Sequence, residues 1–211
     1  NTFHEKNRNF PEAIGLARRL AMIKMISGIN DPDLVSSLKN NDDLIDKALW
    51  FNVIIFDFDH TQRSINPDSY RAPFRTLNPE KVWSEIIPDR SGSLLEIVFS
   101  SQVPYDEVDL ETITTRKRTL IADDTGLSVS AGIGCEIPDV ADVSRSYGSA
   151  VDGLSHRYVR GGNKNFHRQT LSETCAKRRS DASLHFQKSV ASGSIEEWPE
   201  YFSRVVDELI Q

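Results

Sequence analysis

The spacing of apolar residues predicts that the chain begins with helices. Apolar side chains recur at helical intervals over residues 14–26, and Gly28 is suited to end that helix. Two further short helices are expected to start at Asp31 and Asn41, because Asp and Asn favour the N-cap position. The pattern therefore predicts a helical N-terminal segment over residues 1–50.

A different pattern begins at residue 51, where apolar and β-branched runs predict strands. Residues 51–59 and 94–99 form two such runs, and residues 118–122 are assigned as a third strand. A short helix is expected over residues 80–87. Residues 51–211 are interpreted as a single α/β or α+β domain with a small central sheet.

The remaining segments of this domain are assigned from prolines and from apolar spacing. A loop is expected where three prolines follow the first strand, at Pro67, Pro73 and Pro79. Mainly helical structure is expected in three later segments, over residues 138–147, about 163–190 and 196–210. The domain is therefore expected to end in a helical C-terminal segment.

Composition excludes several classes of protein. The chain has 211 residues, 38% of them hydrophobic, which is enough to bury a core. No run approaches the roughly 18 apolar residues of a membrane span, and no signal peptide or basic transit segment is recognisable. The two cysteines, Cys135 and Cys175, are expected to be reduced, and no zinc-ligand spacing is present. We expect a cytoplasmic or otherwise soluble intracellular protein.

Charge is distributed unevenly along the chain. The net charge is −6, which argues against sequence-independent nucleic-acid binding by the whole protein. Residues 156–188 contain eight basic and two acidic residues, so this segment carries +6 and the rest of the chain −12. Such asymmetry indicates contact with an acidic partner, nucleic acid or a neighbouring subunit, or else a solvated helix surface.

The end of the first predicted strand carries a pair of carboxylates. The run Ile54-Ile-Phe-Asp57-Phe-Asp59-His-Thr61 resembles the first motif of haloacid-dehalogenase-type phosphatases. The resemblance implies that Asp57 is the nucleophile, that Asp59 is the acid/base, and that Thr61 binds substrate, with Mg²⁺ offsetting the negative charge. Strand alternation alone places both carboxylates on one face, as in any half-exposed antiparallel strand.

Later segments follow the order of motifs in the same family, so that the resemblance spans about residues 53–124. Ile97-Val-Phe-Ser100 looks like the second motif, which implies that Ser100 binds phosphate. Lys117 or Arg118 would supply the cation, and the run ending at Asp123-Asp124 resembles the metal-binding strand end. The implied Mg²⁺ ligands are four carboxylates, those of Asp57, Asp59, Asp123 and Asp124.

A second resemblance competes for the same residues. Ile121-Ala-Asp-Asp-Thr-Gly-Leu-Ser-Val-Ser-Ala131, continued over residues 138–148, resembles a segment of inosine triphosphate pyrophosphatases. That resemblance implies that Asp123 and Asp124 hold Mg²⁺ on a triphosphate and that Arg145 lies near the substrate. The alternative is a turn in which Gly126 supplies the required backbone geometry.

The third candidate lies in the basic segment, over residues 157–168. Gly161 and Gly162 precede a predicted helix, and backbone N–H groups in such a loop can bind phosphate beside basic side chains. Tyr158 and Phe166 among basic residues would also suit single-stranded nucleic acid. A solvated loop explains the same residues without any ligand.

These patterns favour two functions from different classes. The first is a Mg²⁺-dependent phosphohydrolase acting on a phosphorylated small molecule or nucleotide, as a phosphomonoester phosphatase or a nucleoside triphosphate pyrophosphatase. The second is a non-enzymatic assembly or interaction protein, for example a viral or phage structural component. It would form homo-oligomers and use residues 156–188 to contact an acidic partner or nucleic acid.

Overall fold

The computed structural model describes residues 15–29, 31–59, 64–89 and 92–167. The chain divides into two compact units, Asn1–Arg168 and Gln169–Gln211, and all described residues belong to the first. Thr61, Cys175 and the helices expected beyond residue 167 lie outside the described residues.

The N-terminal part of the domain is helical, in agreement with the sequence pattern. Helix α1 covers residues 15–26 in its described part, and it is followed by α2 (Pro32–Asn41) and α3 (Asp43–Asp46). The Asp31 side chain caps α2 by accepting a hydrogen bond from the backbone N–H of Asp33. The third helix is shorter than expected, because its end is followed by the first strand at Trp50 rather than by further helix.

A five-stranded mixed sheet forms the centre of the domain. Its strands are β1 (Trp50–Phe58), β2 (Trp83–Pro88), β3 (Leu94–Ser100), β4 (Val129–Ile133) and β5 (Asn165–His167). They lie in the order β2-β3-β1-β4-β5, and every neighbouring pair is antiparallel except β4 and β5. The prediction of an α/β or α+β domain with a small central sheet and helices is confirmed, and the class is α+β.

Helices cover both faces of the sheet because β1 and β3 are apolar on both sides. Alternate residues of β1 enter two separate cores. One core packs the sheet against α1–α3 and α6 (Val143–Ser155), and the other packs it against α4 (Pro67–Leu77) and α5 (Leu110–Thr125). Two 3₁₀ turns, Tyr105–Glu107 and Val140–Asp142, and a short helix α7 (Arg157–Arg160) complete the described elements.

Two glycines allow α6 to lie directly on β4. A Cβ atom at Gly132 would be 2.3 Å from the carbonyl oxygen of Ala150, and one at Gly134 would be 2.3 Å from that of Ser146. Both neighbours are helix backbone, which cannot give way cheaply. The close contact also brings the C-terminal end of α6, and hence α7, over the end of β1.

Three sequence predictions are wrong, each because a short run of residues is ambiguous. Residues 118–122, predicted as a strand, lie inside α5, whose buried positions recur at helical intervals from Leu110 to Ile121. Residues 80–87, predicted as a helix, contain most of β2. β5 occupies residues 165–167, where a helix is expected from about residue 163.

The proline-rich loop is the fourth wrong prediction, since it contains α4. The Asn66 side chain caps this helix, and Pro67 occupies its first turn, where a proline costs no hydrogen bond. Pro73 lies inside the helix, which is held to the sheet by buried Tyr70 and Phe74.

Among the described residues, no helix combines the length and the apolar character needed to cross a bilayer.

Candidate functional site

Asp57 and Asp59 lie together where β1 ends, on the sheet face covered by α6. Asp57 is the only position of β1 that is not fully buried, and α7 partly covers it through Arg157. The Arg157 guanidinium lies 2.7 Å from Asp57 Oδ2, and the two side chains are 12% and 22% exposed respectively. This ion pair fastens the first residue of α7 to the sheet.

The Asp59 carboxylate accepts hydrogen bonds from three groups. The hydroxyls of Ser128 and Ser130 donate to its two oxygens, and the backbone N–H of Asn163 donates to Oδ2 at 2.8 Å. Burial by itself raises the pKa of Asp59, but these hydrogen bonds and the positive charge of Arg157 outweigh burial, so that the pKa lies below 3.8. Asp59 is therefore a permanently ionised anchor at neutral pH.

The loop from Gly161 to Asn163 closes directly over Asp59. A Cβ atom at Gly162 would be 2.3 Å from Cγ of Asp59, so only glycine fits there. Gly161 and Asn163 adopt positive φ values of 77° and 59°, which turn the Asn163 N–H toward the carboxylate. The Asn163 side chain in turn accepts a hydrogen bond from Arg118 of α5. The anion bound by this glycine loop is the protein's own Asp59.

The outer surface of α7 is exposed, while its two ends are held by the Arg157–Asp57 ion pair and by the loop that binds Asp59. Tyr158 is 78% exposed and Val159 is 51% exposed, and Arg160 and Lys164 are exposed beside them. The Arg157 guanidinium lies 5.1 Å from the centre of the Tyr158 ring and donates a hydrogen bond to its hydroxyl. We refer to Tyr158, Val159, Arg160 and Lys164 as the α7 patch.

Ser100 lies far from the two aspartates. It pairs with Trp50 at the opposite end of β1, because β3 is antiparallel to β1. Its hydroxyl donates to the carbonyl of Lys81 and accepts from the backbone N–H groups of Gln102 and Val103. Ser100 therefore closes the turn that follows β3.

Lys117 is completely buried beneath the other face of the sheet. Its Nζ lies 2.7 Å from Oε1 of Glu96, donates to Oδ1 of Asn78, and is 5.2 Å from the centre of the Phe74 ring. Both Lys117 and Glu96 have fully buried side chains. Lys117 thus neutralises a core carboxylate in the centre of the sheet.

Asp123 and Asp124 lie in the last turn of α5 and not at a strand end, contrary to expectation. Asp124 accepts a hydrogen bond of 2.7 Å from the hydroxyl of Tyr70. Burial first, and then this hydrogen bond and the charge of Asp124, raise the pKa of Tyr70 to about 12. Arg145 is exposed on α6. The Tyr70–Asp124 hydrogen bond joins α4 to α5 on the side of the sheet away from Asp57 and Asp59.

The arrangement of carboxylates does not fit Mg²⁺. Within the described residues there is no group of three or more His, Cys, Asp or Glu side chains placed to hold a metal ion. Asp57 is occupied by Arg157, and both oxygens of Asp59 accept hydrogen bonds from protein donors. Because Mg²⁺ needs near-ideal octahedral oxygen ligands, it would have to displace these partners.

Ser128 and Ser130 are site residues that sequence reasoning missed. Ser130 lies in β4 and Ser128 immediately precedes that strand, so the two serines are two positions apart and share one face. This spacing is the signal that could have identified them. Neither a comparison with protein-family models nor a comparison with curated proteins finds a match to this chain.

Proposed function

We propose that the domain is a non-enzymatic interaction module that self-associates through the α7 patch. The observation that carries this proposal is the contrast between the two sides of α7. Its inner side is held by Asp57 and by the loop bound to Asp59, while Tyr158 and Val159 face solvent. An exposed tyrosine on a fixed backbone loses little conformational entropy when a partner covers it.

The chemistry of the patch resembles that of an interface centre. Tyrosine and arginine are enriched among residues that dominate binding energy, and Tyr158 is held by its contact with Arg157. Arg160 and Lys164 add positive charge at the edge of the apolar pair. This combination favours an acidic protein surface as the partner.

Charge complementarity supports a second copy of the chain as that partner. Residues 156–188 carry +6 in a chain whose net charge is −6. Near the start of the domain, the turn before α2, α2 and α3 carry four exposed carboxylates, namely Asp31, Asp33, Asp43 and Asp46, of which Asp43 pairs with Lys47. Contact between two different surfaces of identical subunits is heterologous, and it builds rings or filaments.

Sedimentation velocity of the full chain over a concentration series tests the proposal. We expect reversible association that weakens as salt rises, because exposed charges are screened. Tyr158→Ala and Arg160→Glu should each lower the association, whereas Leu20→Ala, which alters an apolar residue of α1 that is 52% exposed outside both proposed surfaces, should not. A monomer at every concentration, or equal association of Tyr158→Ala and Leu20→Ala, would contradict self-association.

A Mg²⁺-dependent phosphohydrolase is the second candidate. Asp57 and Asp59 share one face at the end of β1, which is the placement that the phosphatase resemblance requires. Orthophosphate and pyrophosphate release from phosphomonoesters and nucleoside triphosphates, measured with Mg²⁺ and with EDTA, tests this candidate. Metal-dependent turnover that Asp57→Asn abolishes would establish it, and no release from any substrate would remove it.

A further inference from the structure

A cavity lined by arginines lies at the open edge of the sheet. It is formed by α1, α4 and the edge strand β2, and its volume is about 670 Å³. Four arginines line it, and Glu85 is the only carboxylate among the described lining residues; the arginines are Arg18, Arg19, Arg71 and Arg75. The cavity is far smaller than a macromolecular interface, and its size suits a small molecule.

Glu85 organises three of these arginines but cannot neutralise all of them. Its oxygens lie 3.1 Å from Arg18, 3.6 Å from Arg19 and 3.1 Å from Arg71, and its side chain is only 9% exposed. Arg18 and Arg71 each contact a second carboxylate, that of Asp42 and that of Asp68, neither of which is among the lining residues. Four guanidinium groups thus face three carboxylates.

Two donors in the cavity wall have no acceptor among the described residues. Nε of Arg18 is buried without a hydrogen-bond partner. Arg75 is exposed, and neither a hydrogen bond nor an ion pair connects it to any described residue. An unpaired guanidinium, in a wall that holds one more guanidinium than carboxylates contact, is the arrangement that an oxyanion would complete.

A smaller apolar cavity of about 210 Å³ adjoins the first one. The two share Arg18, Arg75, Ser84 and Glu85, and the remaining lining residues are Leu44, Val82, Trp83 and Phe99. The rings of Trp83 and Phe99 are stacked with their centres 6.4 Å apart. Shared walls place an apolar compartment next to the arginines.

We propose that these two cavities bind one small organic oxyanion. Its charged group contacts Arg19, Arg71 and Arg75, since the planar guanidinium matches phosphate and carboxylate geometry. Its apolar body enters the smaller cavity beside Trp83. The site shares no residue with the α7 patch, so the proposal does not depend on whether the protein self-associates.

Titration of the full chain at constant ionic strength tests the site, with Trp83 fluorescence and calorimetry as readouts. The probes are phenyl phosphate, phthalate and inorganic phosphate. We expect saturable binding of at least one ring-bearing dianion, at least about fivefold tighter than that of inorganic phosphate, because only the former buries apolar surface. Preference between phenyl phosphate and phthalate identifies a phosphoryl or a carboxylate ligand.

Matched arginine variants locate the binding. Arg75→Gln and Arg19→Gln should each weaken binding by about tenfold, the size expected for one charged hydrogen bond. Arg116→Gln, an exposed arginine of α5 outside both cavities, should leave binding unchanged. Trp83→Phe should remove the fluorescence change and keep the calorimetric signal.

Two results would overturn the proposal. One is a linear response to phenyl phosphate and phthalate that NaCl reproduces. The other is equal binding by Arg75→Gln and Arg116→Gln. Because Arg75 is exposed and forms no hydrogen bond or ion pair with the described residues, its variant is expected to fold normally, and circular dichroism checks this.

Discussion

Replacing Lys117 with methionine should strongly destabilise the domain. The substitution keeps the length and apolar stem of the side chain but removes the cation 2.7 Å from Glu96. Glu96 is fully buried, and its second oxygen, Oε2, has no hydrogen-bond partner among the described residues. The variant therefore leaves an uncompensated carboxylate in the centre of the sheet.

The size of this loss of stability follows from the burial of both side chains of the Lys117–Glu96 pair. Removing one partner of a fully buried ion pair costs about 3–5 kcal/mol. Glu96→Leu should cost less than Lys117→Met, because Asn78 and the Phe74 ring still contact the remaining ammonium. Replacing both residues by apolar ones is neutral or stabilising by up to about 4 kcal/mol in comparable cases.

Urea unfolding followed by circular dichroism measures these free energies. The double variant Lys117→Met with Glu96→Leu should regain most of the stability lost by Lys117→Met alone, which would reveal strong coupling between the two residues. Losses that simply add in the double variant would refute the reasoning. A Lys117→Met variant as stable as the wild type would refute it as well.

Three further predictions concern the hydrogen bonds at the strand and helix ends. Tyr70→Phe should lower the free energy of unfolding by about 1 kcal/mol. Urea unfolding should show that the wild type loses this extra stability between pH 10 and pH 12. The reason is that the unfolded tyrosine ionises at about pH 10, while the folded one keeps its proton to about pH 12. Asp59→Asn should remove a stabilisation that the wild type has above pH 3.8 and loses as acid protonates Asp59. Melting temperatures that change in parallel for both proteins across pH 2–6 would contradict this. Gly162→Ala should destabilise the domain by about 1–3 kcal/mol, because the added methyl group meets the Asp59 carboxylate, which three donors hold in place. An unchanged melting temperature would show that the loop does not close over Asp59.

The elements that were predictable from sequence are those whose signal is local and long. β1 and β3 are continuous apolar runs, and the start of α2 carries a capping residue beside the helix that it begins. The prediction for α5 was wrong because five of its residues look like a strand when they are considered without the buried positions from Leu110 to Ile121, which recur at helical intervals. The prediction of a loop in place of α4 was wrong because a proline such as Pro67 occurs at the start of a helix as readily as in a loop.

The sequence placed Asp57 and Asp59 on one face but could not identify their partners. Arg157 and Asn163 lie about a hundred positions away, and only the close packing of α6 on Gly132 and Gly134 brings them over β1. The predicted phosphate loop at Gly161 does hold an anion, yet that anion belongs to the protein. Long-range packing of this kind leaves no local pattern to read.

The α7 patch as a contact between copies is the central claim, and amide hydrogen exchange across a concentration series tests it most directly. We predict that protection of residues 157–164 rises with protein concentration in buffers with Mg²⁺ and with EDTA alike. Amides of α5 should stay unchanged, and Tyr158→Ala should remove the rise. Protection over residues 157–164 that does not depend on concentration would contradict the account.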